Sequence, residues 1–166
     1  MAVPPDVALI ITRKKAQYGR FADCKQWDQF EKLALPDAEF GFYDTDGSPL
    51  RVGNTPLVFT SAKPFAAFFS KFFKNAQTLH NFGPGDLELT APGEVKAIWA
   101  LEDQLLLRGT AGLVELRGGG HYYETWVERD GDWFIKKLDM RRTYTKLSIL
   151  GRLLFLLVAI FGISLV

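Results

Sequence analysis

The chain has 166 residues, with 20 Lys plus Arg against 19 Asp plus Glu, for a formal net charge of +1. That length suits one domain and is marginal for two, and a charge so small and so scattered offers no broad field for nucleic acid. The lone cysteine, Cys24, excludes an internal disulfide framework and fits a reducing compartment, while 14 Phe residues exceed what closing one small core requires.

Taken in chain order, residues 2–11 are short and broken by Pro4, Pro5 and Asp6, so no signal peptide is expected. Asp6 is expected to cap a helix reaching about Ala22, with Val7, Ile10, Ile11, Ala16 and Phe21 as its apolar positions. Trp27, Phe30 and Leu33 predict a second short helix that Pro36 ends. Residues 38–43 read as a strand, closed by the turn Asp44-Thr45-Asp46-Gly47. Ser61 and Pro64 open a third helix carrying Phe65, Phe68, Phe69, Phe72 and Phe73. It is apolar over most of its girth, which predicts cover on more than one side.

Residues 77–89 and 94–106 then read as long strands. The stretch from Gly118 to Arg142 predicts a hairpin, because Asp130-Gly131 lies between two β-rich runs and the turn needs the positive φ that Gly supplies. Two helices, a strand, a helix and a run of antiparallel strands predict α+β architecture, with helices on one face of a curved antiparallel sheet. After residue 146 comes LSILGRLLFLLVAIFGISLV, whose only charge is Arg152. From Leu147 an apolar helix spans ~30 Å, the thickness of a hydrocarbon core, provided Arg152 snorkels. Residues 1–146 are therefore expected to form the domain and residues 147–166 a C-terminal membrane anchor. Arg141, Arg142 and Lys146 before it would keep the domain on the cytoplasmic side. The competing reading packs this helix on the domain or in a homodimer interface.

The residues able to do chemistry are few. Asp23 ends the first helix between Phe21 and Trp27; a carboxylate partly desolvated by aromatics is a candidate base or acid, and a helix cap is the plainer reading. His80 lies in the strand QTLHNFG. An Asp that orients an imidazole is a general-base arrangement. His121 starts a strand beside Gly118, Gly119 and Gly120, which let a backbone or ligand come close. Glu124 alternates with Tyr122 and Trp126, so it either enters a pocket or pairs across the strand with Lys136 or Lys137. Two His without spaced acids make a zinc site unexpected, and no Gly-rich loop precedes a helix to cradle phosphate. No metal and no cofactor are expected.

Tyr18, Asp23 and Trp27, then Pro36-Asp37-Ala38, Leu79-His80-Asn81, the strand around Trp99, Glu124-Thr125-Trp126 and Asp130-Gly131-Asp132-Trp133 together resemble the SnoaL-like branch of the NTF2-like superfamily. The resemblance covers about residues 6–145. It implies a cone-shaped barrel whose apolar pocket holds a small hydrophobic substrate, of polyketide or terpenoid type, for dehydration, isomerisation or cyclisation without a cofactor. Scytalone-dehydratase-like members use an Asp on the first helix and a His on the following strand, which Asp23 and His80 match. A second His is expected where this chain has Trp99, and His121 is a candidate stand-in. Tyr18 and Tyr43 are candidates to hold a catalytic water, and Trp27, Phe69 and Glu124 are added as substrate-binding candidates. The rival expectation is a non-catalytic ligand-binding or assembly module on the same barrel.

Overall fold

A computed structural model describes residues 1–154. Helix α1 (Pro5–Asp23) is followed by a 3-10 helix (Trp27–Lys32) and strand β1 (Ala34–Tyr43). Three short strands, β2 (Arg51–Val52), β3 (Thr55–Pro56) and β4 (Val58–Phe59), lead to helix α2 (Ala62–Phe72). Four long strands complete the domain: β5 (Ala76–Ala91), β6 (Glu94–Leu107), β7 (Glu115–Arg129) and β8 (Asp132–Leu147). This is the expected α+β plan, with the helices laid across one face of a curved six-stranded sheet ordered β4-β1-β8-β7-β6-β5.

The sheet is mixed rather than purely antiparallel, because β1 runs parallel to β8. That pairing joins strands far apart in sequence and leaves no local signal. Strand β1 also begins at Ala34, earlier than expected. The short helix stops at Lys32 rather than at Pro36, which lies within β1, where the pairing with β8 is interrupted between Ala34 and Glu39 and a missing N–H costs no ladder bond. The Asp130-Gly131 turn forms as expected: φ is 52° and 78°, and Arg129 opposes Asp132 across a two-residue loop.

Helix α1 departs from expectation on its buried side. Pro4 stands at the N-cap, and Asp6 lies in the first turn, where a carboxylate favours the helix dipole. Ala16 is exposed, and the buried positions are Ile11, Lys14, Lys15, Tyr18, Gly19, Phe21 and Ala22. The helix approaches β5 closely at Gly19, where a Cβ would come within 2.8 Å of the Phe82 ring. Helix α2 buries Phe65 and Phe69, and Phe65 stacks on Phe40 of β1 at 4.0 Å between ring centroids. Phe68 and Phe72 are half-buried, so the helix is covered on more than one side but not all round.

Residues 149–154 are helical, and Leu147 still belongs to β8. Most of the predicted anchor, residues 155–166, lies outside the described residues. Among the described residues no helix is long and apolar enough to cross a membrane.

Candidate active site

Between the helices and the sheet lies a cavity of about 290 Å³. Trp27, Phe42, Phe65, Phe69, Phe72 and Phe73 form its aromatic wall, and the polar residues that line it include Tyr18, Asp44, Arg51, His80, Asp103, Tyr122, Arg142 and Thr145. Apolar walls with a few convergent polar groups are the usual form of a small-molecule site.

The sequence brings two of these groups together through one helix end and one strand. Asp23 closes α1, and His80 lies on β5 where that helix crosses it. The Asp23 Oδ1 is 2.7 Å from the His80 Nδ1, and its Oδ2 accepts the His80 backbone N–H at 3.0 Å. Burial raises the Asp23 pKa, but hydrogen bonds from the His80 ring and backbone and from Thr78 outweigh it and hold the carboxyl below its ordinary value. An ionised carboxylate only accepts, so the neutral imidazole places its hydrogen on Nδ1 and its lone pair on Nε2. The imidazole side chain is 7% exposed and lines the cavity, and Nε2 makes no hydrogen bond among the described residues.

A second charged pair lines the same cavity. Arg142 Nη1 and Nη2 donate to the two oxygens of Asp103 at 2.8 and 2.6 Å, a bidentate arrangement that uses both carboxylate oxygens. Gly118 makes room for it, since a Cβ there would lie 2.3 Å from Arg142 Nη1 and 3.0 Å from Asp103 Oδ1. Beyond Arg142, a pairing irregularity at Gly119 and Gly120 shifts the phase of β8, so that Thr145 and Leu147 also reach the cavity.

Behind the cavity is a third cluster. Lys15 Nζ lies 2.5 Å from Glu124 Oε1, and Glu124 Oε2 accepts the indole N–H groups of Trp99 and Trp126 at 2.8 and 2.9 Å. The ammonium also sits 3.5 Å from the ring centroid of Tyr122 and 4.6 Å from that of Tyr18. Burial brings Lys15 down to a pKa of about 8 even though Glu124 pulls the other way. Tyr18 is pushed up well above its ordinary value by burial first and by Tyr122 next.

Comparison with known proteins finds the SnoaL-like domain matched over residues 9–139. The chain belongs to the SnoaL-like family. Probable cyclase FGR4 of Gibberella zeae is 47% identical over 147 residues, which cover 89% of this chain and 98% of that protein. Among solved structures, a candidate scytalone dehydratase from Novosphingobium aromaticivorans has a TM-score of 0.68 at 17% identity, covering 82% of this chain and 84% of that one. Hexachlorocyclohexane dehydrochlorinase LinA-type3 from Novosphingobium barchaimii LL02 has a TM-score of 0.67 at 16% identity, covering 85% and 89%. At those identities the two structures show a shared fold.

Within this SnoaL-like domain the predicted site residues divide. His80, Tyr18, Trp27 and Phe69 line the cavity, with Asp23 directly behind His80. Four others do not line it. Tyr43 is on the outer face of β1, because strand alternation gives the inward place to Phe42. Trp99 is buried in the core and donates to Glu124. His121 is half-buried, with its ring beside that of Tyr123 at 6.4 Å. Glu124 faces inward but is taken by Lys15; Lys136 pairs with Glu94, and Lys137 with Glu39 and Asp139.

The sequence reading missed Arg142, Asp103, Tyr122 and Lys15. A signal was present for the first two. Asp103 continues the inward phase of Val95, Ala97, Trp99 and Leu101, and Arg142 continues that of Leu138 and Met140. A charge on an apolar phase is the mark of a paired or functional group.

Proposed function

We propose that this SnoaL-like protein removes a proton from a small, apolar, ketone-type metabolite, as the base-catalysed step of a cyclisation, dehydration or isomerisation. The observation that carries this reading is the His80 ring lining an aromatic cavity while Asp23 holds its Nδ1 side. With Nδ1–H donated to Asp23, the Nε2 lone pair is left to take a proton from carbon next to a carbonyl, and the resulting imidazolium is stabilised by the carboxylate behind it. The proton can be returned at another atom, so the reaction needs no redox partner. The apolar wall excludes water from the enolate, and the cyclase name of the 47%-identical relative accords with carbon chemistry of this kind.

The test uses a simple ketone in place of the natural substrate. The full chain should accelerate exchange of the C1 protons of 2-tetralone for deuterium in heavy water, read by proton NMR. His80→Ala and Asp23→Asn should each slow it by ~10²–10⁴-fold, the usual range for general acid–base help. Folded variants that exchange as fast as the parent would sink the dyad. No acceleration by the parent chain would favour the ligand-binding module.

A further inference from the structure

We infer that the Trp27 indole N–H is the group that holds the substrate's oxygen, and that the cavity is built for an aromatic or polycyclic molecule carrying a carbonyl acceptor. The inference rests on the reading above only in taking this cavity as the substrate site. Among the described residues, Trp27 Nε1 is the buried side-chain polar atom that no protein group pairs with. Trp27 also lines the cavity. By contrast, the buried indoles of Trp99 and Trp126 both donate to Glu124.

The orphaned donor cannot swing to another partner. Its ring is stacked between Phe30, Phe73 and Phe69, at centroid distances of 5.2, 6.0 and 6.4 Å and interplanar angles of 21°, 24° and 20°. Neither carboxylate of the two charged pairs receives it. Asp103 spends both oxygens on Arg142, and Asp23 spends both on His80. A desolvated N–H without a partner is unfavourable, so the acceptor comes from the occupant. Phe73 touches both Trp27 and His80, with ring centroids at 6.0 Å in each case. One occupant lying along Phe73 therefore presents its oxygen to the indole and its neighbouring C–H to the imidazole.

A matched ligand pair tests this. 2-Acetylnaphthalene and 2-ethylnaphthalene share a ring system, and the first adds a carbonyl oxygen. By isothermal titration the full chain should bind the acetyl compound roughly tenfold more tightly, the size of one hydrogen bond to an otherwise unpaired donor. Trp27→Phe should erase that preference and leave the ethyl compound's affinity within about twofold. Because the substitution trims a packed ring, a second variant carries 3-benzothienylalanine at position 27, which keeps the outline and replaces N–H by sulfur; it should behave in the same way. Equal affinities in the parent chain, as expected if water satisfies the indole, would overturn the inference. So would a preference that survives both substitutions, or failure of both compounds to bind. The outcome is separable from the dyad: His80→Ala can abolish exchange of 2-tetralone while the acetyl preference stays intact.

Discussion

The Lys15–Glu124 pair and the Asp23–His80 pair occupy neighbouring parts of one apolar interior, and they differ in what is left over after pairing. Glu124 has both oxygens engaged, one by Lys15 and the other by two indoles, and the Lys15 ammonium is closed in by aromatic rings. Asp23 likewise has both oxygens engaged, but its partner keeps a ring nitrogen facing the cavity. Burial and charge are thus common to both pairs, and neither property alone distinguishes a site from a strut. Residual hydrogen-bonding capacity aimed at empty space does so. By that measure His80 and Trp27 are assigned to the proposed site, and Lys15 and Glu124 to its support.

The sharpest way to break this contrast is to remove one partner of the closed pair. Glu124→Gln leaves a fully buried ammonium facing a neutral amide and should cost about 3–5 kcal/mol of stability, measured by urea unfolding. Replacing both partners together, Lys15→Met with Glu124→Leu, should cost much less, because no uncompensated charge remains. His80→Ala should move stability far less than it moves proton exchange. A double replacement that costs as much as the Lys15→Met and Glu124→Leu single replacements summed would show that the Lys15–Glu124 pair is not energetically coupled.

The same pair gives a pH signature that the dyad lacks. Folding lowers Lys15 from 10.5 to about 8, chiefly by burial. Between those values the unfolded chain binds more protons than the folded one, so stability rises with pH across that window. Spread over the whole interval the gain is roughly 3 kcal/mol. Lys15→Met should flatten the rise, which denaturant titrations from pH 7.5 to 10.5 would reveal; a parent chain whose stability falls across this range would contradict it.

Much of the fold was legible because its signals are local. The Asp130-Gly131 turn, the alternation along β6 and β7 and the Phe spacing of α2 each act within a few residues. Asp23 and His80 were legible as residue types in context, although their 2.7 Å contact needs α1 to cross β5. The pairing of β1 with β8 was not legible, since it depends on strands that meet only in the finished sheet. Tyr43 was misplaced by one step of strand phase, which turns a side chain to the opposite face. Lys14 and Lys15 carried no inward signal, because lysine is usually solvated. Their burial depends on acceptors brought from afar: Glu124 for Lys15, and Asp132 with the Trp133 carbonyl for Lys14. Arg142 and Asp103 show the converse, as their inward phase was visible and their mutual pairing was not.

The smallest expected effect probes the dyad from its acidic side. Hydrogen bonds from His80 and Thr78 hold the Asp23 carboxyl below its ordinary value of 3.8 despite the opposing pull of burial. A carboxyl lowered by folding contributes stability above its unfolded pKa and loses it as pH falls through the folded value. The stability difference between the parent chain and Asp23→Asn should therefore be constant near neutral pH and shrink once the pH drops below about 4. Asp23 is only partly screened from water, so this loss should be modest beside the alkaline gain at Lys15. Parallel unfolding curves for the two proteins from pH 7 to pH 3 would mean that the carboxylate gains nothing from the imidazole. An Asp23 so disengaged could not fix the tautomer on which the proposed proton removal by His80 depends.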